Sequence, residues 1–313
     1  MRCCTVLSNG FYSEVYFHKV FVMKDIRQIT VMGLGLLGGS ISLAVLRSFT
    51  RVKVVGFTHR PSTRAKARRL AVATEVVDCL KSSVSEADIV ILATPIVTFE
   101  KTFSEIADAL PSGCIVTDVG STKVLPHRWA AKKLPKRVHY VGSHPIAGSE
   151  QRGVEFARDD LFDGAMCILT TTKKTNRQAV QTLKRFWSKL GCYVKIMTPT
   201  EHDRIFANVS HLPHVTAAAL INANSSEELK FAGNGFMDTS RIASGPANIW
   251  ADVLLTNANN TTRGIDKIIA ELVKLKKAMK KENKKEIERL LEKARTKRAA
   301  LIKYKIKKKE LIS

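Results

Sequence analysis

The 313-residue chain lacks several features that would assign it to a class at once. No apolar run approaches the roughly 20 residues that a membrane helix requires, so we expect no membrane span. Its six cysteines include no C-x-x-C pair, which argues against a disulfide framework and favours a reducing compartment, the cytoplasm. Residues 1–23 are neither strongly cationic at their start nor apolar enough for a secretory signal. These absences leave a cytoplasmic globular protein that is long enough for two domains.

Acidic residues are also scarce, because 28 Asp and Glu stand against 51 Lys and Arg, which gives a formal net charge of +23. The excess is concentrated in residues 274–309, which hold 17 Lys or Arg against 4 Glu. Such a segment could bind nucleic acid through its phosphates. The tail 303–313, however, has a single aromatic residue, Tyr304, and so offers almost no platform for base stacking. We therefore expect no specific nucleic-acid partner.

A glycine-rich stretch, GLGLLGGS at 33–40, is the most informative local pattern. It follows an apolar run at 29–32, precedes a predicted helix at 41–46 and is followed by a second predicted strand at 52–57. A G-x-G-x-x-G pattern in a strand–helix–strand unit predicts a Rossmann-type α/β domain with a pyrophosphate at the helix N-terminus. The alternative is a tight turn that binds nothing. The residues expected to contact the cofactor here are Gly33, Gly35, Leu36, Leu37 and Gly38.

The end of the second predicted strand lacks the Asp or Glu that commonly binds the ribose hydroxyls of NAD. A carboxylate there would repel a 2′-phosphate, whereas hydroxyl and guanidinium groups would hold one. The sequence therefore favours NADP over NAD, although the loop could also be ordinary solvated surface. The residues expected to contact this end of the cofactor are Thr58, His59, Arg60, Thr63 and Arg64.

Two further buried-strand patterns, at 87–93 and 114–118, end in short polar stretches. In open α/β sheets, ligands bind beyond the carboxyl ends of the strands. We therefore expect Thr94, Pro95 and Ser121 near the nicotinamide. A second interpretation of Ser121 is a helix N-cap.

The segment GSHPIAGSE at 142–150 is expected to carry the chemistry. A strand should deliver His144 to a loop that Pro145 and Gly148 shape. Histidine titrates near neutral pH and can act as a general base. A purely structural His144 is the alternative.

After residue 198 the pattern changes to helices alone, and we expect Thr200 to cap the first of them, with Asp203 in a position like that of a capping box. His211 and His214 share a helix face, and Pro213 between them should kink the helix. No third ligand at suitable spacing accompanies them, so we expect no metal. The predicted organisation is an extension at 1–24, a dinucleotide-binding domain at 25–197, a helical substrate and dimerisation domain at 198–302 and a basic tail at 303–313.

Arg241 is the candidate for binding a substrate carboxylate by its two-pronged fork. It lies in a loop-like stretch that is rich in glycine and small polar residues. Asp238, three residues earlier, offers the alternative of an ordinary helical ion pair of a few tenths of a kcal/mol.

Taken in order, these motifs resemble the prephenate dehydrogenase family, which includes cyclohexadienyl and arogenate dehydrogenases of tyrosine biosynthesis. The resemblance covers about residues 26–269. It rests on GLGLLGGS, DVGSTK at 118–123, GSHPIAGSE, EHD at 201–203, SHLPH at 210–214 and DTSRIASGPANIW at 238–250.

The resemblance implies a Rossmann domain followed by a helical domain that forms a homodimer. It implies hydride transfer from prephenate, or from arogenate, to NADP or NAD, with loss of the ring carboxylate as carbon dioxide. By resemblance, His144 accepts the proton of the ring hydroxyl, Ser121 helps to hold that hydroxyl, and Arg241 binds a carboxylate while Asp238 orients it. The other positions that match the substrate pocket are Ser149, Glu150, His211, His214, Gly235 and Trp250.

Another two-domain dehydrogenase, acting on a hydroxyacid or an imine, is the rival interpretation. Such enzymes often carry a lysine on the central helix as their acid. The corresponding helix here carries His211 and His214 instead, which favours the first interpretation.

Overall fold

A computed structural model describes residues 26–148 and 151–307 of the chain. Its first part is built on a six-stranded parallel sheet. The strands are β1 Gln28–Met32, β2 Lys53–Phe57, β3 Glu75–Val77, β4 Ile89–Leu92, β5 Ile115–Asp118 and β6 His139–Tyr140. Their order in the sheet is β3-β2-β1-β4-β5-β6, which is that of a Rossmann fold, as predicted.

Helices cover both faces of this sheet, so its central strands, β1 and β4, are buried along their whole length. In β4, Ile89 and Ile91 face one apolar core, and Val90 and Leu92 face the other, because successive side chains alternate. The helices of this part are α1 Leu36–Ser48, α2 Pro61–Arg69, α3 Leu80–Val84, α4 Phe99–Ile106, α5 Val124–Lys133 and α6 Arg177–Lys189.

A second, smaller sheet adjoins the first one and was not anticipated as a separate unit. It contains β7 Gly142–Ile146, β8 Met166–Thr170 and β9 Tyr193–Met197, with β7 antiparallel and β9 parallel to β8. The prediction of a loop around His144 is wrong, since His144 and Pro145 pair with Ile168 and Cys167 inside the sheet. Pro145 is tolerated because β7 is an edge strand, where a missing N–H costs no ladder bond.

The second part of the chain, from 199 to 307, consists of helices joined by short turns and has no strand among its described residues. The α-helices are α7 Pro199–Phe206, α8 Leu212–Asn222, α9 Ser226–Leu229, α10 Asn234–Ser240, α11 Ala247–Thr256, α12 Ala258–Lys280 and α13 Lys284–Lys307. Between α7 and α8 lies a π-helical segment, Ala207–His211, and Pro213 follows it in the first turn of α8. No helix in the described ranges is long and apolar enough to cross a bilayer.

The N-cap of α7 differs from the prediction. The hydroxyl of Thr198, not Thr200, accepts a hydrogen bond from the N–H of Glu201 at 3.2 Å. The reason is Pro199, which lacks an N–H and therefore suits the first helical position. Thr200 consequently lies inside the first turn.

Candidate active site

The glycine-rich turn has the shape that a dinucleotide pyrophosphate requires. Gly33 has a φ of 98°, and a Cβ there would lie 2.7 Å from the carbonyl oxygen of Ala93. A Cβ on Gly38 would lie 1.8 Å from the carbonyl oxygen of Gly33, so only glycine lets α1 approach the strand. Gly35 precedes α1, and a Cβ there meets no described atom within 4 Å. The open N-terminus of α1, where Leu36 and Leu37 begin the helix, therefore fits a dinucleotide.

The ends of β2 and β4 line the same edge. Thr94 lies directly against Gly33, and its hydroxyl is 2.8 Å from that of Thr98. Thr58 is buried, whereas His59 and Arg60 are exposed ahead of α2. Arg60 occupies the N-cap position, Thr63 the first turn, and no acidic side chain is present in that turn.

Arg64 contacts its own loop. Its guanidinium donates to the carbonyl oxygens of Thr58 at 2.9 Å and His59 at 3.1 Å. It also lies 4.0 Å from a carboxylate oxygen of Asp78. Arg64 therefore holds the backbone of the short loop between β2 and α2, which contains Thr58, His59 and Arg60.

The loop that carries Ser121 is held by a buried lysine. Lys123 is 0% exposed, and its ammonium group donates to Asp118 Oδ1 and to the carbonyl oxygen of Gly120 at 2.6 Å. The hydroxyl of Tyr140 donates to the other oxygen of Asp118 at 2.6 Å. The alternative of Ser121 as an N-cap is wrong, because Lys123 occupies that position of α5.

His144 connects the two parts of the molecule. Its Nδ1 lies 2.8 Å from Nε2 of His202, and Nδ1 of His202 lies 2.8 Å from Oδ1 of Asp203. His202 is fully buried and stacks on Phe206 with ring centroids 4.5 Å apart. Beside His144, the hydroxyl of Ser143 lies 2.7 Å from that of Thr117, which ties β7 to β5.

The carboxylate of Asp203 caps α5 across the domain boundary. Its Oδ1 accepts from the N–H of Lys123 at 2.7 Å, and its Oδ2 accepts from the N–H of Val124 at 2.8 Å. The side-chain amide of Asn257 donates to the backbone carbonyl of Asp203 at 2.7 Å and lies 3.2 Å from Nδ1 of His211. A carboxylate at a helix N-terminus is stabilised by the dipole and by the unpaired N–H groups.

Burial keeps these histidines neutral near pH 7, because it disfavours the charged form. It lowers the pKa of His144 well below its usual value, and the positive charge of the neighbouring Lys123 lowers that pKa further. Burial likewise lowers the pKa of His202, and it lowers the pKa of His211 to about 4. A neutral imidazole retains a lone pair and can therefore accept a proton.

His211 and His214 form a second polar group on the helical domain. The ring of His214 stacks on Trp250 with centroids 3.6 Å apart and an interplanar angle of 9°, while His211 meets Trp250 edge-on at 6.3 Å. Nε2 of His211 and Nδ1 of His214 are buried and have no hydrogen-bond partner among the described residues. A buried polar atom without a partner costs free energy, so these two nitrogens are suited to bind a ligand.

The remaining predicted residues lie nearby or outside the described ranges. Arg241 begins a 3₁₀ turn, Arg241–Ser244, that packs against α8, and Gly235 and Asp238 lie on the preceding helix α10. Ser149 and Glu150 fall outside the described residues. Within the described ranges, no group of three His, Cys, Asp or Glu could hold a metal.

Sequence reasoning missed four polar residues and one glycine of this site. The sequence interpretation gave the side chains of Lys123 and His202 no role, and it placed Asp203 in a capping box of its own helix, whereas Asp203 caps α5. A His-Asp pair in the first turns of a helix was the available signal for His202 and Asp203. Gly245 is required because a Cβ there would lie 2.4 Å from Nε1 of Trp250. Asn257 carried no local signal.

Comparison with known proteins agrees with this architecture. The family model described as "Prephenate dehydrogenase, nucleotide-binding domain" matches residues 41–198, and "Prephenate dehydrogenase, dimerization domain" matches residues 198–293. The chain is 37% identical to a prephenate dehydrogenase of Bacillus subtilis over 83% of this chain and 72% of the relative. It is 32% identical to a cyclohexadienyl dehydrogenase of Zymomonas mobilis over 82% of this chain and 90% of the relative.

A solved structure agrees as well. The prephenate dehydrogenase of A. aeolicus, crystallised with hydroxyphenyl propionate and NAD+, superimposes with a TM-score of 0.83 and is 32% identical. The alignment covers 88% of this chain and 99% of that structure. The chain therefore belongs to the prephenate dehydrogenase family.

Proposed function

We propose that this protein catalyses the NAD(P)-dependent oxidative decarboxylation of prephenate to 4-hydroxyphenylpyruvate. The observation that carries the proposal is His144, a histidine kept neutral by burial beside the carboxyl edge of a dinucleotide-binding sheet. Its Nδ1 is engaged by His202 of the helical domain, so Nε2 is the nitrogen assigned to the substrate. The relatives named as prephenate dehydrogenases support the choice of substrate.

In this proposal the protein positions the ring and polarises its hydroxyl. His144 accepts the hydroxyl proton as the C–O bond gains double-bond character. Ser121, on the loop held by Lys123, orients the same hydroxyl. The bond from the ring to its carboxylate then breaks, its electron pair completes the aromatic ring, and His144 returns the proton to the ring oxygen. When bound, NAD(P)+ supplies the acceptor for the hydride that leaves the ring carbon bearing the hydroxyl.

The helical domain is assigned to substrate binding. Arg241 binds a carboxylate by its fork, and Asp238 orients it. The unpartnered nitrogens of His211 and His214 form hydrogen bonds with the polar groups of the substrate, as donors or acceptors according to their tautomer. Trp250 orients both imidazoles. The other assigned pocket residues are Ser149, Glu150 and Gly235.

We infer that NADP is preferred over NAD. The support is the buried Thr58 in place of a carboxylate, together with exposed Arg60 at the N-terminus of α2. Thr63 adds a hydroxyl in the first turn of that helix, and Arg64 holds the loop by its carbonyl groups. A 2′-phosphate there would meet a cation and a helix N-terminus.

A second candidate substrate is arogenate, which differs from prephenate at the side chain alone. The cyclohexadienyl dehydrogenase of Z. mobilis, 32% identical, keeps this candidate open. One assay decides both questions: purified protein is tested with prephenate and arogenate, each with NAD and NADP. We expect the highest catalytic efficiency with prephenate and NADP. Activity with neither substrate would overturn the proposed function.

We further propose that the chain divides near residue 198 and forms a homodimer in the cytoplasm through its helical domain. The description of the second family model supports dimerisation. Apolar side chains exposed on α12 also support dimerisation, because a contiguous exposed apolar surface is typical of a protein–protein interface. These side chains are Ile269, Leu272, Val273 and Met279.

A further inference from the structure

We propose that His202 and Asp203 are positioning residues that hold His144 in one tautomer, with its proton on Nδ1 and a bare lone pair on Nε2. This inference rests on the proposed function, because it assigns the state in which His144 acts as a base. The three side chains form a continuous chain, with 2.8 Å between His144 and His202 and 2.8 Å between His202 and Asp203.

The direction of each hydrogen bond depends on Asp203. Both of its oxygens already accept backbone N–H groups, from Lys123 at 2.7 Å and from Val124 at 2.8 Å. A carboxylate that caps a helix N-terminus is an acceptor, so Nδ1 of His202 must donate to it. His202 then has a bare Nε2, which can only accept. Nδ1 of His144 must therefore carry the proton, and its Nε2 is left to accept one.

The arrangement also stabilises the charge that forms when His144 takes a proton. The new N–H bond forms at Nε2 from its lone pair, and the proton comes from the substrate hydroxyl. The resulting imidazolium still donates from Nδ1 to His202, which donates to the anionic carboxylate of Asp203. Hydrogen bonds that involve an ionised group are about twice as strong as neutral ones. The pair therefore offsets part of the desolvation that opposes a charge at His144.

Packing and hydrogen bonds within the protein itself hold the positioning pair in place. His202 is fully buried and stacked on Phe206, with 20° between the ring planes. Asn257 fixes the backbone of Asp203 from a third helical segment. His144 and Asp203 come from different domains, so correct docking of the domains sets the tautomer.

A purely structural role, in which His202 only joins the domains, is the competing explanation. The replacement His202→Phe distinguishes the structural role from the positioning role, because a phenyl ring keeps the stack on Phe206 and removes both nitrogens. His202→Gln keeps an acceptor that can reach His144. The matched control is His127→Phe, which removes another largely buried histidine, hydrogen-bonded to Thr170 at 2.9 Å.

The first measurement is the ¹⁵N spectrum of histidine-labelled protein at pH 7 without substrate, with His144→Asn used for assignment. We expect a pyrrole-like Nδ1 and a pyridine-like Nε2 for His144 in the wild type and in His127→Phe. His202→Phe should show a mixture of tautomers. A wild-type His144 that carries its proton on Nε2 would overturn the inference, whatever the enzyme activity.

The second measurement is steady-state kinetics with direct titration of the cofactor. His202→Phe should lower kcat by about 10- to 10³-fold, because a wrongly protonated base must first tautomerise, with KM and cofactor affinity changed less than about twofold. His202→Gln should recover part of the loss, and His127→Phe should retain full turnover. His202 would have a structural role if His202→Phe lowered kcat, cofactor affinity and melting temperature and raised KM to a similar extent, and if His202→Gln recovered none of these.

If His202→Phe does not fold, the wild-type spectrum and the kinetics of His202→Gln test the inference. An unimpaired His144→Asn enzyme would instead refute the proposed function and leave the tautomer result intact.

Discussion

At the scale of single residues, the site depends on polar groups that burial forces into one state. His144, His202 and His211 are neutral because their surroundings disfavour charge. Lys123 is tolerated at 0% exposure because Asp118 lies next to it. A neutral histidine can accept a proton. The paired Lys123 holds the loop that carries Ser121.

The first prediction concerns the base. His144→Asn should lower kcat by about 10²- to 10⁴-fold, the usual scale for loss of a general base. Cofactor affinity, measured by titration, should stay within about twofold, because the dinucleotide binds at the edge formed by the first sheet. Turnover close to that of the wild type would contradict the assignment of His144.

The second prediction concerns Arg241. Arg241→Gln should chiefly raise KM for the substrate, because a carboxylate contact is made in the ground state and in the transition state alike. The control is Arg295→Gln on α13, which removes an arginine that pairs with Glu292 on an exposed helix surface. If Arg241→Gln left KM unchanged and lowered the melting temperature, a structural pair with Asp238 would be the better explanation.

At the scale of elements, the helical run from Pro199 to Asn222 aligns the histidines of the second domain. A π-helical turn holds more residues than an α-helical turn, so the segment Ala207–His211 shifts the angular phase of α8 relative to α7. His211 and His214 are consequently both buried near Trp250, while His202 faces His144 on the other side of the interruption. π segments of this kind occur frequently at functional sites.

The β2–α2 connection carries the third prediction. The double substitution Thr58→Asp with Arg60→Ala should shift preference toward NAD by roughly one to two decades, since a charge-assisted contact contributes on the order of 1.5–3 kcal/mol. The measurement is the ratio of catalytic efficiencies with the two cofactors at fixed prephenate. Arg69→Ala, at the opposite end of α2, is the control and should leave the ratio unchanged. A wild-type enzyme that favours NAD tenfold or more would show that another group holds the ribose.

At the scale of the whole molecule, buried histidines link folding to pH. His127 and His211 have their pKa values lowered to about 4 by burial, and those of His144 and His202 are lowered too. An unfolded histidine titrates near 6.5, so below that pH the unfolded chain binds more protons than the folded one. Stability is therefore complete above pH 6.5 and falls as the pH falls toward the folded pKa values.

The fourth prediction is derived from this linkage. Between pH 6.5 and 5, each such histidine should lower the free energy of unfolding by up to about 1.4 kcal/mol per pH unit. His127→Phe should remove one histidine's share of that slope. Urea unfolding at several pH values measures both slopes. A mutant slope equal to that of the wild type would show that His127 is not held neutral.

The fifth prediction concerns the basic end of the chain. Deletion of residues 303–313 should spare activity, because the family match ends at residue 293 and the described part of this segment is largely exposed. Sedimentation analysis should still give a dimer. A monomeric product would mean that this segment belongs to the dimer interface.

The sequence alone determined the features that local periodicity encodes. The strand–glycine–helix pattern at 28–48 specified the Rossmann fold, and the change after Thr198 specified a helical second part. Both depend on short-range rules, since glycine spacing and side-chain periods of 2 and 3.6 are visible within a dozen residues. The order of the motifs also sufficed to identify the family.

The tertiary structure alone decided which of those residues meet. His144 and His202 are 58 residues apart, and Asp203 caps a helix that begins 79 residues earlier. No local period encodes such contacts, because they arise only when two domains pack and each buried polar atom must find a partner. The same packing placed His144 in an edge strand of a second sheet and brought His202 and Asp203 of the EHD triplet beside the proposed base.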